Sequence, residues 1–220
     1  MMRRTPKCLL CALLAALCAG CGGGDAPVVA APRVIEWYGD SLTFGSIAGP
    51  SGELTRLTVP PVRRAQELLG DAALCVDLSL PGATVRDALD GVAMMPFGAF
   101  EQHIKASAAD TVVLRYGGAD ALRGTPLPDF EHDLGALAAL ARVSGKRVLL
   151  VGVIETASHD TDAYDLAVER TADALGLDFV DVRAVPFAWP DDLADAVHPA
   201  QAWSDRITAA IVRHLNPAQP

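Results

Sequence analysis

The chain alternates between short, continuous apolar runs and longer stretches in which apolar residues recur with helical spacing. Continuous runs of five to seven residues are typical of parallel strands that are buried on both faces of a sheet. Each run is rich in β-branched or other large apolar side chains, and we predict five strands: Val34–Tyr38, Ala73–Leu78, Thr111–Arg115, Arg147–Val153 and Asp178–Val182.

Helical patterns separate these runs. The predicted helices are Pro61–Leu69, Thr84–Gly91, Asp129–Val143, Asp162–Leu175 and Ala200–Leu215. Thr84 is suited to cap the second of them. The alternation of strands and helices predicts an α/β fold, a three-layer α/β/α sandwich. Two long loops, Thr43–Val59 and Phe187–Ala196, follow strands, and such loops commonly carry binding groups.

The first 20 residues have the pattern of a secretory signal peptide. Three basic residues precede an uncharged apolar run, Cys8–Ala19, which is too short to span a bilayer. The next positions, Ala19-Gly20-Cys21, resemble a bacterial lipobox, in which the cysteine is lipidated. We expect Cys21 to anchor the exported protein to the cell envelope, facing the periplasm. Cleavage near Ala19 or Ala31, giving a soluble secreted protein, is the alternative.

Composition sets the limits of the mature domain. Residues 21–32 are rich in Gly, Ala and Pro and predict a flexible tether, so the predicted domain spans residues 33–217. A net charge of −9 and a pI near 4.9, without a basic stripe, argue against nucleic acid as a partner. Of five cysteines only Cys75 lies in the domain, and we expect it to be a small core residue. We predict no disulfide, no metal and no cofactor.

Ser41 lies where the first predicted strand ends. In open α/β sheets, ligands bind just outside the carboxyl ends of the strands, so a serine at this position is well placed for chemistry. A serine hydroxyl needs an adjacent base before it can act as a nucleophile at neutral pH. The sequence therefore directs attention to the five histidines.

His198 is the histidine best placed to be this base. It lies in Asp195-Ala196-Val197-His198-Pro199, between the fifth predicted strand and the last predicted helix. A carboxylate three residues earlier can hold the imidazole Nδ1–H and leave Nε2 free for a serine. Alternatively, Asp195 caps the turn before the last helix. We expect the other four histidines at the surface: His103, His132, His159 and His214.

Three blocks, in order along the chain, resemble the GDSL/SGNH hydrolases, a family of serine esterases. They are Gly39-Asp40-Ser41-Leu42, Leu80-Pro81-Gly82-Ala83-Thr84 and Asp195-x-x-His198. The resemblance implies the flavodoxin-like SGNH fold, with a five-stranded parallel sheet in the order 2-1-3-4-5. It also implies that Ser41 is the nucleophile, His198 the base and Asp195 the orienting acid, with backbone N–H groups of Ser41 and Gly82 in an oxyanion hole.

One block departs from the family pattern. Residues 116–120 read Tyr-Gly-Gly-Ala-Asp, so Ala119 stands where the family has an Asn that donates a side-chain hydrogen bond to the oxyanion. Loss of one such donor costs about 10²–10³ in rate. The resemblance therefore implies a weakened oxyanion hole in which the backbone donors remain.

These features predict a cell-envelope serine ester hydrolase, of carboxylesterase, acetylesterase or lipase type, that acts on a small ester or an acylated glycan. Two alternatives stay open: a catalytically impaired binding module on the same fold, suggested by Ala119, and an acyl transferase that acts on envelope polysaccharide. A nucleotide-binding protein is disfavoured because the loop after the first strand lacks a phosphate-cradling glycine pattern.

Overall fold

The computed structural model describes residues 31–49, 51–92 and 95–216. Within these ranges the strands are β1 (Arg33–Gly39), β2 (Ser46–Ala48), β3 (Leu54–Arg56), β4 (Ala73–Asp77), β5 (Thr111–Arg115), β6 (Arg147–Val151) and β7 (Asp178–Val180). The helices are α1 (Ser41–Phe44), α2 (Pro61–Leu69), α3 (Val85–Asp90), α4 (Phe100–Ala106), α5 (Gly118–Arg123), α6 (Leu127–Val143), α7 (Asp162–Leu175) and α8 (Gln201–Leu215). The predicted signal peptide and lipidated Cys21 lie outside the described residues.

Five strands form one parallel sheet in the order β4-β1-β5-β6-β7. Counted within that sheet alone, the order is 2-1-3-4-5, so the predicted topology is confirmed. The order reverses on either side of β1, whose last residue, Gly39, pairs with Arg115 of β5. Such a reversal opens a crevice outside the carboxyl ends of the strands. The end of β1 therefore lies where a ligand is expected to bind.

A hydrophobic cluster covers each face of the sheet. On one face, Phe100, Phe130 and Val168 bring α4, α6 and α7 against the strands. On the other, Val62 and Ile207 bring α2 and α8 into contact with it. Burial on both faces explains the continuous apolar runs of the strands, and the three-layer sandwich predicted from the sequence is confirmed.

The predicted helices are all present, and their ends differ from the predicted ones by at most two residues. The largest difference is in α6, which begins at Leu127 rather than Asp129 and has Pro126 as its N-cap. Pro128 lies inside the first turn. A proline is tolerated there because its missing N–H would have no partner within the helix.

The sequence analysis missed the short elements. Residues 43–59, predicted to be a loop, contain the end of α1 and the antiparallel hairpin of β2 and β3. Both hairpin strands have three residues, too few to show an apolar period. The sequence analysis also missed α4 and α5, which are short and have no capping side chain to mark where they begin. No helix in the described part of the chain is both long and apolar enough to cross a bilayer.

Candidate active site

Ser41 is the first residue of α1, immediately after β1. Asp40 caps the helix: its Oδ1 accepts a hydrogen bond of 2.9 Å from the Leu42 N–H. The helix ends after one turn at Gly45, which has a φ of +82°. This sharp change from strand to helix leaves Ser41 partly exposed while its two neighbours, Asp40 and Leu42, are buried.

Gly39 makes this turn possible. A Cβ at this position would lie 2.2 Å from Thr43 Oγ1 and 2.4 Å from the Arg115 carbonyl oxygen. Both distances are far inside van der Waals contact, and one of the two atoms is backbone. Only glycine therefore lets β1 pack against β5 while the chain turns back into α1.

The structure brings Ser41, His198 and Asp195 together although 157 positions separate the serine from the histidine. His198 Nε2 lies 3.0 Å from Ser41 Oγ. His198 Nδ1 lies 2.9 Å from Oδ2 and 3.1 Å from Oδ1 of Asp195. Each ring nitrogen thus has one partner: Nε2 can accept the hydroxyl proton of Ser41 while the carboxylate of Asp195 orients the ring through Nδ1.

The loop that carries the acid and the imidazole is closed by its own hydrogen bonds. Asp195 Oδ1 accepts from the backbone N–H groups of Val197 and His198, each at 2.8 Å. The Ala194 N–H donates to the His198 carbonyl at 2.8 Å. The alternative role of Asp195 as a turn former thus coexists with its contact to the imidazole, because one carboxylate accepts several donors.

The β2–β3 hairpin reaches the same carboxylate. The Ala48 N–H donates to Asp195 Oδ2 at 2.7 Å. Burial acts to raise the pKa of Asp195, but the hydrogen bonds from the N–H groups of Val197, His198 and Ala48 and from the imidazole outweigh it and hold that pKa below its ordinary value. Asp195 is therefore ionised at neutral pH.

Gly82 lies in a turn after β4 that is fastened to the end of β1. The Leu80 N–H donates to the Gly39 carbonyl at 3.0 Å, and the Ala83 N–H closes the turn on the Leu80 carbonyl at 3.0 Å. Gly82 has a φ of +76°, a conformation that favours glycine. Its own N–H has no acceptor among the described residues.

Ala119 lies in the first turn of α5, against the cap of α1. Its N–H donates to Asp40 Oδ2 at 3.0 Å, and its side chain is buried. A methyl group has no N–H or O–H, so this position supplies the site with no side-chain hydrogen-bond donor.

Buried charges lie beneath the site, and the sequence analysis assigned them no role. The Arg115 guanidinium donates from Nη1 to the Leu42 carbonyl at 3.0 Å. Burial lowers the pKa of Arg115 to about 10, against the opposing effect of the Asp40 charge. Burial raises the pKa of Asp40 despite hydrogen bonds from Ala119 and Leu42. The signal in the sequence that could have identified this buried charge is an arginine, Arg115, at the end of a predicted buried strand.

Asp120 is a second buried carboxyl in this region. Its oxygens lie 3.3 and 3.4 Å from the Val85 N–H, at the start of α3. Burial, reinforced by the Asp40 charge, raises the pKa of Asp120 to about 7. Asp120 therefore titrates near neutral pH.

Another histidine departs from the surface position expected for it. His103 was expected at the surface but packs edge-on against Tyr38 and lies 3.3 Å from the buried Glu36 carboxylate. In the described ranges, no group of three or more His, Cys, Asp or Glu side chains is arranged to hold a metal ion.

A model of the GDSL-like lipase/acylhydrolase family matches residues 37–205. No curated protein matches the chain.

Among solved structures, the native aryl esterase of M. smegmatis has a TM-score of 0.70 at 17% identity, and Est24, a carbohydrate acetylesterase from Sinorhizobium meliloti, has 0.68 at 17%. The TesA structure has a TM-score of 0.65 at 23% identity. Each match covers 84% of this chain and 99% of the other, and at such identities it shows the fold alone. The family match spans most of the chain, which therefore belongs to the GDSL-like lipase/acylhydrolase family and is a hydrolase of ester bonds.

Proposed function

We propose that this protein is a serine esterase in which Ser41 is the nucleophile, His198 the general base and acid, and Asp195 the group that orients the imidazole. The observation that carries the proposal is the 3.0 Å separation of His198 Nε2 and Ser41 Oγ, with Nδ1 on the Asp195 carboxylate. Nucleophile and base at hydrogen-bond distance, with a third group holding the base, are the requirements for an activated serine.

In the first step, Ser41 Oγ bonds to the carbonyl carbon of the ester while its proton moves to His198 Nε2. The carbonyl π pair moves to oxygen and gives a tetrahedral oxyanion. When that pair returns, the bond to the alcohol oxygen breaks, and the alcohol leaves with the proton from Nε2. Asp195, ionised at neutral pH, stabilises the imidazolium between these transfers.

In the second step, water takes the place of the alcohol. His198 Nε2 accepts a proton from the water as its oxygen bonds to the acyl carbon, and then returns the proton to Ser41 Oγ as the acyl–serine bond breaks. The products are a carboxylic acid and the free enzyme. The sequence of transfers needs neither a metal nor a redox cofactor, because the base accepts and returns a single proton.

The backbone N–H groups of Ser41 and Gly82 are the proposed donors to the oxyanion. Support comes from the hydrogen bond between the Leu80 N–H and the Gly39 carbonyl, which fastens the Gly82 turn beside the end of β1. Ala119 contributes no side-chain donor, which would lower the rate by about 10²–10³ relative to a site with an amide at that position.

The proposed substrate is a small ester, such as an acetyl ester of an alcohol or of a glycan. The names of the aryl esterase and the carbohydrate acetylesterase among the structural neighbours favour this class. Hydrolysis of p-nitrophenyl acetate, compared with longer acyl chains, measures the preference.

The proposed location is the cell envelope, with a lipid on Cys21. The basic start, the short apolar run and the small residues before Cys21 support it. Metabolic labelling with radioactive palmitate tests this location: incorporation is expected in the wild type and not in Cys21→Ser. Equal release of both proteins into the soluble fraction would favour secretion after cleavage.

Labelling with a fluorophosphonate probe tests the proposed nucleophile without a choice of substrate. We expect a covalent adduct on Ser41 and hydrolysis of p-nitrophenyl acetate, both lost in Ser41→Ala. Ser144→Ala is the matched control: its hydroxyl bonds the Leu140 carbonyl at the end of α6, and the variant should retain both. Absence of labelling and hydrolysis in the folded wild type would favour the catalytically impaired binding module.

A further inference from the structure

Arg123 lies on the same face of α5 as Ala119, one helical turn later. Residues four apart are neighbours on a helix surface, and side chains lean toward the N-terminus of the helix. The guanidinium of Arg123 therefore extends back over the turn that contains Ala119, which is the end of α5 nearest to Ser41.

The contacts of the guanidinium agree with this direction. Nη1 donates to Asp87 Oδ2 at 3.0 Å, in the first turn of α3. Nη2 lies 3.8 Å from the position that a Cβ on Gly82 would occupy, and it has no acceptor in the described part of the chain. One nitrogen is thus held by a carboxylate, while the other faces the turn whose N–H is a proposed oxyanion donor.

The side chain is accessible to a substrate. Its exposed fraction is 56%, against 20% for its partner Asp87. Arg115, beneath the site, is fully buried and donates to the Leu42 carbonyl inside the fold. Arg123, in contrast, is a cation that a bound ester can contact without rearrangement of the core.

We propose that Arg123 is a catalytic residue that donates a charge-assisted hydrogen bond from Nη2 to the substrate carbonyl oxygen as it becomes an oxyanion. The inference rests on the function proposed above. When Ser41 Oγ bonds to the acyl carbon, the carbonyl electron pair moves to oxygen, and a guanidinium beside Gly82 stabilises that charge more than it stabilises the neutral carbonyl.

Kinetics of three variants at position 123 test the role. Arg123→Ala is expected to lower kcat for p-nitrophenyl acetate by about 10- to 10²-fold, less than a buried donor would because the guanidinium is half exposed. KM should change by less than about threefold, because the interaction forms in the transition state. Arg123→Lys, which keeps the charge, should recover part of the loss. Arg123→Gln should recover less, because its amide keeps a donor without the charge.

Arg170→Ala is the matched control. Arg170 on α7 pairs with Glu131 at 3.0 Å, and its exposed fraction of 54% is close to that of Arg123. The Arg170→Ala substitution removes a comparable surface ion pair that does not involve the site, so the kcat of this variant should equal that of the wild type. Thermal unfolding of each variant separates loss of fold from loss of rate, and Arg123→Gln replaces Arg123→Ala if the alanine variant does not fold.

A double-mutant cycle with Ala119→Asn tests whether the two positions act on the same atom. If Arg123 stabilises the oxyanion, an amide at position 119 takes over part of that work, and Arg123→Ala should then cost less than about threefold in kcat. An undiminished loss when Arg123→Ala is combined with Ala119→Asn would contradict a shared target.

Two results would overturn the proposal. One is an unchanged kcat in both Arg123→Ala and Arg123→Gln while the wild type hydrolyses esters and is labelled at Ser41, which would leave the proposed function standing. The other is a rise in KM confined to an ester with a carboxylate on its acyl chain, such as p-nitrophenyl hemisuccinate, which would make Arg123 a substrate anchor. A wild type without labelling or hydrolysis would refute both proposals.

Discussion

The two halves of the candidate active site are built differently. The proton-transfer half consists of Ser41, His198 and Asp195, and it is closed by direct hydrogen bonds of 2.9 to 3.1 Å. The proposed oxyanion half consists of the backbone N–H groups of Ser41 and Gly82 and the guanidinium of Arg123, beside the methyl group of Ala119. It comes from α1, the turn after β4 and α5, and no hydrogen bond in the described part of the chain joins Gly82, Ala119 and Arg123 to one another.

The two halves consequently depend on different scales of structure. Asp195 and His198 are three residues apart and organise their own loop, so their geometry follows from local hydrogen bonds. Gly82 and Ala119 come from separate elements, and each is held at the junction of β1 and α1 by a long-range hydrogen bond: Leu80 N–H to the Gly39 carbonyl, and Ala119 N–H to Asp40. We therefore expect changes in the proton-transfer half to abolish activity, and changes in the oxyanion half to adjust it.

The largest expected effect is that of Asp195→Asn. The amide nitrogen cannot accept the imidazole Nδ1–H, so His198 loses the tautomer that presents a free Nε2 to Ser41. We expect kcat to fall by about 10⁴-fold. The control is Asp191→Asn, an exposed acid of the same loop. A loss below tenfold in Asp195→Asn would mean that the carboxylate does not orient the base.

Ala119→Asn should raise activity. The backbone N–H of residue 119 would still donate to Asp40, while the new amide would add a side-chain donor to the oxyanion half. A gain in kcat of about 10- to 10²-fold is expected, below the full effect of one donor because Arg123 already contributes. Ala119→Leu, which adds bulk without a donor, should give no gain. Equal rates in Ala119→Asn and the wild type would show that the oxyanion half lacks nothing at this position.

Asp120→Asn should change the dependence of stability on pH. The folded-state pKa of Asp120, about 7, lies above its ordinary value of 3.8. The folded protein therefore binds more protons than the unfolded chain between these values, and this group's contribution is fully present below pH 4 and lost as the pH rises through 7. The unfolding free energy of Asp120→Asn minus that of the wild type should therefore rise by about 4 kcal/mol from pH 4 to pH 8.

Urea unfolding at several pH values measures this difference, with the exposed Asp173→Asn as the control. Parallel stability curves for wild type and Asp120→Asn would show that Asp120 has an ordinary pKa in the folded protein. Such a result would show that any contribution of Asp120 to the structure around the oxyanion half does not depend on pH in this range.

The smallest effect is expected for Ala48→Pro, which removes the N–H that the β2–β3 hairpin gives to Asp195. The carboxylate keeps its bonds to Val197 and His198, so kcat should fall by only about three- to tenfold. Ala48→Val keeps the N–H and should behave as the wild type. A loss as large as that of Asp195→Asn would show that the hairpin, rather than the loop itself, holds the acid.

The larger elements could be predicted because their signals are local and repeated. Pro61–Leu69 and Asp162–Leu175 have the bounds read from the sequence, since each shows helical spacing over two or more turns and ends at a glycine. Helix α5 was missed because its six residues are preceded by no side-chain cap, whereas α3, equally short, is marked by its Thr84 cap. Arg123 was missed together with α5, because its proposed role depends on which turn α5 packs against.

The motif blocks of the family and the loop shared by Asp195 and His198 could be read from the chain before any coordinates, and the resemblance to the family implied the strand order. Apolar runs, motif blocks and short spacings record these features without reference to distant residues. The pairing of Ser41 with His198 was implied by the resemblance, but its distance of 3.0 Å was not. Neither the burial of Arg115 beneath the nucleophile nor the approach of the Arg123 guanidinium to Gly82 could be predicted. Each of these features depends on residues from separate elements and on how the helices pack on the sheet, which no local pattern records.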